Sequence, residues 1–198
     1  MPNPPQGTQC TDCGAVVSST NGVFLTHDNK QRFICSACFN AMIAKGLDIP
    51  FEHLDFHPVT LADVEKNEHT FRFFTRLFGD KVSITAIEVR EEEAEGYEFE
   101  IIDMAVCDLF SLFGQLIEKI KRGLAKRHLK PGGEDAPYDL TDEAVIRGRI
   151  TWDEKTDGES PALIIDGKKM SWYELGQILA SHEGAQFKME IFDMSDEK

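Results

Sequence analysis

Two CxxC pairs in the first fifth of this chain restrict its N-terminal fold more than any other feature. Cys10 and Cys13 form the first pair, Cys35 and Cys38 form the second, and 21 residues separate the two pairs. Cysteines three positions apart can face one ion from a tight turn, and two such pairs complete a tetrahedral shell of four thiolates. The sequence therefore predicts one structural metal site per chain, with zinc as the expected ion and iron as the chemical alternative.

The residues around the cysteines predict the local structure that carries them. Gly14 follows the first pair and can adopt the positive φ that aims backbone N–H groups at the sulfurs. Residues 23–26 and 31–34 predict a β-hairpin, and apolar spacing after the second pair predicts a helix that ends at Gly46. Four thiolates leave no coordination position for a substrate, so the site is expected to support structure and not catalysis.

This order of cysteine turn, hairpin, second turn and helix resembles the treble-clef class of zinc fingers over residues 8–47. Proteins of that class bind protein or nucleic acid, or serve structure alone. The predicted module has few cations, and acids balance them: Lys30, Arg32 and Lys45 against Asp12, Asp28 and Asp48. The resemblance therefore implies contact with a protein partner or a purely structural role.

The remainder of the chain predicts an α+β body. Three strand-like runs, at 70–77, 81–90 and 97–103, predict an antiparallel meander. The spacing of apolar residues then changes to three or four, which predicts a long amphipathic helix over 105–129. Before them, residues 48–58 read as a linker with apolar anchors. Thr60 and Asp63 offer a helix cap and an acidic third position, so a short helical turn is expected there.

Pro131 to Pro137 form the clearest break in the chain, and a second small unit follows it. Strands are expected at 146–152, 162–165 and 186–192, with a tight turn at Asp166-Gly167. Ser171 and Glu174 have the spacing of a capping box, which predicts a shorter helix that runs to Gly184. The division expected from the sequence is a cysteine module (1–47), a meander with a long helix (57–130) and a C-terminal α+β unit (138–198).

Three short runs in the second unit extend the resemblance: Ile165-Asp-Gly167, Ser171-Trp172 and His182-Glu-Gly184. Together with the CxxC pairs they resemble uncharacterised bacterial proteins in which a treble-clef or zinc-ribbon head precedes small α+β domains. This resemblance implies no particular activity. The chain also contains an internal similarity, because the sequence of residues 97–104 parallels that of residues 187–194.

Charge separates the remaining classes of function. The net charge of −14 argues against a surface that binds nucleic acid throughout, since phosphate attraction needs clustered cations. Residues 105–130 nevertheless carry six bases against two acids, and these six form a candidate surface for nucleic acid or an acidic partner: Lys119, Lys121, Arg122, Lys126, Arg127 and Lys130. Cations near a helix C-terminus also stabilise the helix dipole, which is the structural alternative.

No residue pattern identifies a reaction centre, so an enzyme is the less favoured class. His53 and His57 lie in a stretch that prolines close at both ends, and they read as linker residues. Cys107 is expected to be a buried thiol. His182 and Glu183 are the best candidates for catalysis, although a cationic histidine at a helix C-terminus has a structural explanation.

The expected function is therefore that of a zinc-binding, non-catalytic binding or adaptor protein with a protein partner. No run approaches the eighteen apolar residues that cross a membrane, and no secretion signal precedes the first cysteine. Paired cysteines without such a signal favour reduced, metal-bound thiols, and hence a cytoplasmic location.

Overall fold

The computed structural model describes residues 7–27, 30–90, 95–133, 137–156 and 158–196. Within them the chain is an α+β protein, in which antiparallel sheets pack with three α-helices. The cysteine cluster precedes the larger sheets along the chain, as the sequence predicted.

The N-terminal part is built from two small strand pairs and one helix. Its elements are β1 (Thr8–Gln9), β2 (Val16–Val17), β3 (Gly22–His27), β4 (Lys30–Cys35) and α1 (Ser36–Leu47). The predicted hairpin is formed by β3 and β4, while residues 28 and 29 of its turn lie outside the described residues. Helix α1 begins two residues earlier than Cys38 and ends at Leu47, and its C-cap Asp48 adopts a left-handed φ of 53°. We call residues 7–47 the cysteine module.

The central part is a four-stranded antiparallel sheet with a helix across one face. Its elements are β5 (Val59–Ala62), β6 (Glu68–Phe78), β7 (Lys81–Glu88), β8 (Glu98–Met104) and α2 (Leu109–Leu124). The strands pair in chain order, so β5 and β8 are the two edges of this central sheet. Buried α2 residues recur every three or four positions, so they form one apolar face that packs on the sheet: Leu109, Leu112, Leu116, Ile120 and Leu124.

The C-terminal unit combines a short hairpin, a three-stranded sheet and a helix. Its elements are β9 (Leu129–Pro131), β10 (Tyr138–Leu140), β11 (Gly148–Thr151), β12 (Ala162–Ile165), β13 (Lys168–Ser171) and α3 (Trp172–Ala180), with a 3-10 turn at Glu154–Thr156. The expected turn between β12 and β13 is present, with φ of 50° at Asp166 and 69° at Gly167. The capping box of Ser171 and Glu174 is also complete.

Three apolar clusters form the interior of the described chain. The first surrounds Cys10 and Ile34 in the cysteine module, and the third lies beneath β12, β13 and α3. The second and largest lies between the central sheet and α2, and it also includes Ala44 of α1. The linker after α1 adds side chains to this core, as its pattern predicted: Ile49, Phe51, Leu54 and Phe56. The cysteine module therefore packs directly on the central sheet.

The short helical turn expected at Thr60–Asp63 is wrong, because residues 59–62 form strand β5. The hydroxyls of Thr60 and Thr70 hydrogen bond across the β5–β6 pair at 2.8 Å. Asp63 caps a loop and not a helix, since its Oδ1 accepts from the backbone N–H groups of Glu65 and Asn67. Pairing with β6 outweighs the local helical signal, because it completes an edge of a buried sheet.

The helix expected over 105–129 is shorter than predicted. Asp108 caps its start by accepting a hydrogen bond from the backbone N–H of Phe110, and the helix ends at Leu124. Beyond it, the N–H groups of His128 and Leu129 bind Asp166 Oδ2 at 2.9 and 2.8 Å. Those bonds draw the chain into the C-terminal unit before another helical turn can form.

The final strand expected at 186–192 is wrong, and α3 ends at Ala180 and not at Gly184. Ser181 is the C-cap of α3, and its Oγ donates to the carbonyl of Ile178 at 2.9 Å. Residues 185–193 follow without regular secondary structure, and no strand pairs with them. Strand β11 is likewise shorter than the expected run of 146–152.

Candidate metal centre

The four predicted cysteines converge at one point of the cysteine module. One Sγ atom from each of Cys10, Cys13, Cys35 and Cys38 lies within 4.8 Å of the other three. The Sγ atoms of Cys13 and Cys35 are 3.8 Å apart. A tetrahedron with metal–sulfur bonds of about 2.3 Å has edges of about 3.8 Å, so this separation matches a shared ion.

Backbone hydrogen bonds shape the first cysteine turn. The N–H of Gly14 donates to the carbonyl of Cys10 at 3.0 Å, and the N–H of Cys10 donates to Ala15 at 2.8 Å. Gly14 takes a φ of 78°, where a side chain would be strained. This tight turn between β1 and β2 brings the sulfurs of the first pair to the same side.

The second pair lies where a strand meets a helix. Cys35 is the last residue of β4 and precedes the first turn of α1, which carries Cys38. The backbone N–H of Cys35 donates to Cys10 Sγ at 3.3 Å, so the two turns are joined through a sulfur. Cys10 is buried whereas Cys13 is exposed, and the cluster therefore lies at the edge of the module.

Burial and hydrogen bonds shift the pKa values of Cys10, Cys35 and Cys38 in different directions. Burial alone would raise the pKa of Cys10, but backbone N–H groups, led by those of Cys13 and Cys35, lower it to about 6. Burial raises the pKa of Cys35, and burial together with neighbouring sulfurs raises the pKa of Cys38. The Cys10 thiolate thus forms readily near neutral pH, while a divalent cation would favour deprotonation of Cys35 and Cys38.

The donor set suits a soft or borderline-soft cation. Four sulfurs in tetrahedral reach of one point fit zinc or iron, and they do not fit the oxygen-seeking ions magnesium or calcium. In such a shell the protein supplies every ligand, so the ion would cross-link the first turn to the start of α1. The four-cysteine site can therefore stabilise the fold of the cysteine module.

A buried asparagine attaches this module to the central sheet. Asn40, on α1, is fully buried; its Nδ2 donates to the carbonyl of Thr75 at 2.9 Å, and its Oδ1 accepts from the N–H of Leu77 at 2.8 Å. Its Nδ2 also contacts His53 Nδ1 at 2.8 Å, and His53 Nε2 lies 3.2 Å from Asp55. His53 therefore belongs to this attachment, and His57 is exposed in the linker.

The six predicted cations are divided among three elements of structure. Lys119, Lys121 and Arg122 are on α2, whereas Lys126 and Arg127 follow it and Lys130 is in β9. Four of the six contact oxygen atoms of the chain: Lys119 with the carbonyls of Glu100 and Met194, Lys121 with Glu118, Arg127 with Asp63 and Glu65, and Lys130 with Asp142. The six cations therefore do not all lie on one helix.

The remaining sequence candidates occupy separate places. Cys107 is half-buried before α2, and burial raises the pKa of its thiol. A cavity of about 320 Å³ lies beside it, and another of about 390 Å³ lies along α2. Neither cavity is lined by His182 or Glu183, which follow α3, and the Nε2 atom of His182 is buried. Among the described residues the cysteines are the one cluster with metal-ligand geometry.

Sequence reasoning missed a buried ionic cluster between the central sheet and the C-terminal unit. His69 places Nδ1 2.7 Å from Glu88 and Nε2 3.4 Å from Asp63, and Arg127 binds the same Asp63 carboxylate. Burial and then the charge of Asp166 raise the pKa of the adjacent Tyr97 to about 12. His69 and Glu88 lie on strands, where a single sequence does not distinguish inward-facing charged residues from exposed ones, and Asp63 and Arg127 lie in loops.

The fold and the cysteine cluster define an α+β protein with a four-cysteine site suited to a metal ion. Three family models match successive parts of the chain: residues 9–50 match DUF7685, residues 52–125 match DUF7686 and residues 128–196 match DUF7713. Each is described as a domain of unknown function. No curated protein and no solved structure matches the chain at a significant level. Each helix in the described ranges is too short or too polar to traverse a bilayer.

Proposed function

We propose that this protein binds one structural zinc ion through Cys10, Cys13, Cys35 and Cys38, and that it is a non-catalytic binding or adaptor protein. The convergence of the four sulfurs within 4.8 Å carries the proposal. A closed shell of thiolates is typical of structural zinc and leaves no coordination position for a reacting group. Zinc is preferred to iron because it supports structure without redox chemistry, and the reduced thiols it needs favour the cytoplasm.

The order of elements supports a treble-clef arrangement for the cysteine module. A turn carries the first pair, a hairpin follows, and the second pair lies at the start of a helix. We further propose that the chain comprises three units, namely the cysteine module, the central sheet with α2, and the C-terminal unit. Asn40 and Ala44 hold the first unit on the second, so the ion would stabilise one end of a fixed assembly.

A protein partner is the recognition target that the surface favours. The cysteine module exposes apolar side chains around its hairpin and helix: Val16, Phe24 and Met42. Exposed apolar side chains on a rigid module are typical of a protein contact. Nucleic acid is disfavoured, because four of the six cations between residues 119 and 130 already contact oxygen atoms of the chain.

Metal analysis of protein purified under reducing conditions tests the first half of the proposal. We expect one zinc per chain in the wild type, loss of zinc in Cys10→Ser and unchanged zinc in Cys107→Ser, which is the matched control. A chelator should unfold the cysteine module, since metal binding and folding are coupled in structural zinc sites. Wild-type protein without zinc would refute the proposal.

Capture of partners from the native host tests the second half. We expect a protein retained by the wild type to be lost with Phe24→Glu and kept with Val106→Glu, a control that is also exposed but lies outside the module. Val106 and Phe24 are 72% and 52% exposed, so more than half of each side chain is open to solvent. Equal capture by both variants would show that the cysteine module is not the recognition surface.

A further inference from the structure

The C-terminal tail, residues 186–192, presents an apolar strip with no partner among the described residues. Phe187 is 88% exposed, Met189 57% and Ile191 76%. Chains rarely leave three large apolar side chains in a row on one side open to water. No backbone hydrogen bond joins residues 186–192 to another part of the described chain.

The sequence of the tail alternates as in a β-strand. Lys188 and Glu190 form an ion pair at 2.7 Å, so the two charged side chains lie close together. Phe187, Met189 and Ile191 occupy the alternate positions, which face the other side when such a segment pairs as a strand. The tail is therefore a strand in sequence pattern, but the described part of the chain gives it no neighbouring strand.

Its far end is fixed to the body of the protein. Lys119 donates to the carbonyl of Met194 at 2.7 Å and to the carbonyl of Glu100, on the edge strand β8, at 3.0 Å. The anchor leaves the apolar strip outside the central sheet. The tail thus projects from a fixed point, which lowers the entropy cost of pairing with another strand.

We propose that the tail pairs antiparallel with the tail of a second copy of this chain, about a two-fold axis at Met189. In this register Lys188 faces Glu190 of the other copy, and Phe187 faces Ile191. The same contacts occur twice, as a two-fold interface requires. The charge pattern favours a second copy, because in this register the tail is self-complementary and matches opposite charges and apolar residues at once.

The pairing forms a two-stranded ribbon with six apolar side chains on one face and two interchain ion pairs on the other. A two-stranded ribbon is marginal by itself, so the dimer is expected to depend on protein concentration. Opposite charges directly across a strand pair are favourable, whereas like charges are unfavourable. The two ion pairs therefore determine which tails associate.

Two charge reversals test the register through sedimentation equilibrium of the full chain. Lys188→Glu places acidic residues at both 188 and 190, and Glu190→Lys places basic residues at both positions. Each variant alone should dimerise roughly tenfold more weakly than the wild type, because both ion pairs become repulsive. An equimolar mixture should restore the dimer, since an acidic tail then faces a basic one. The double variant Lys188→Glu/Glu190→Lys should dimerise as the wild type does.

The mixture distinguishes pairing between copies from any role within one chain. Both side chains are exposed, so neither change should affect folding, and circular dichroism provides the control. A monomeric wild type at millimolar concentration would overturn the proposal; the tail would then pair with its own edge strand β8 or with another protein. A dimer that neither reversal weakens, or single variants that fail to rescue each other, would also overturn it.

Discussion

Arg127 Nη2 lies 3.0 Å from Asp63 Oδ2, and the Asp63 side chain is completely buried. This contact joins the residue just beyond α2 to the loop that follows β5. The next two backbone N–H groups, those of His128 and Leu129, bind Asp166 in the C-terminal unit. Three consecutive residues therefore link the central sheet to the C-terminal unit through two buried carboxylates.

Removing the charge of Asp63 should destabilise the protein strongly. Asp63→Asn leaves Arg127 and His69 without their shared partner, and breaking a buried ion pair costs about 3 kcal/mol. Asp142→Asn is the matched control, because Asp142 pairs with Lys130 but its side chain is 99% exposed. We expect that control to leave the free energy of unfolding, as measured by urea denaturation, nearly unchanged.

The same carboxylate should make the protein sensitive to acid. Burial alone would raise the pKa of Asp63, but hydrogen bonds from Asn67 and His69, with the charge of Arg127, lower it from 3.8 to about 2. A lowered pKa in the folded state stabilises the protein above pH 3.8, and this stabilisation is lost as the pH falls towards 2. The free energy of unfolding should therefore fall steeply across that interval, and less steeply in Asp63→Asn. Parallel slopes for the two proteins would contradict this assignment.

Asn40 should control the attachment of the cysteine module. Asn40→Ala leaves the carbonyl of Thr75 and the N–H of Leu77 buried without their side-chain partners, at a cost of about 2–4 kcal/mol. Lys45→Ala changes the same helix at an exposed position and should have little effect. Limited proteolysis should cut the Asn40 variant in the linker between α1 and β5 first. An uncut linker together with wild-type stability would show that other contacts hold the module.

The capping box should stabilise α3 by a measurable amount. Ser171 Oγ accepts from the N–H of Glu174 at 3.2 Å, and the Glu174 carboxylate accepts from the N–H of Ser171 at 2.7 Å. Ser171→Ala should lower the free energy of unfolding by about 1 kcal/mol. Ser19→Ala, at an exposed position of the cysteine module, is the control and should leave it unchanged. Equal effects in the two variants would mean that the cap contributes nothing.

The features predicted well from sequence are those that a few neighbouring residues determine. The cysteine spacing, the Asp166-Gly167 turn, the capping box and the period of α2 each need only local geometry, and each is present. The convergence of the two cysteine pairs is a long-range result, yet the chemistry of thiolates made it predictable.

The features predicted wrongly depend on distant partners. Residues 59–62 form a strand because β6 is available to pair, while residues 186–192 have the same alternation but no neighbouring strand in the described part of the chain. Arg127 was assigned to an exposed helix surface, but it turns towards Asp63 once α2 ends at Leu124. A sequence pattern records the preference of a segment, and only the tertiary structure decides which strand or charge it meets.

X-ray absorption at the metal edge of the purified protein identifies the bound ion and its ligands. We expect zinc with four sulfur neighbours at about 2.3 Å and no nitrogen or oxygen ligand. Cys13→Ser should replace one sulfur with a lighter atom, because Cys13 is the exposed member of the cluster. A first shell with fewer than four sulfurs in the wild type, or no bound metal, would contradict this expectation.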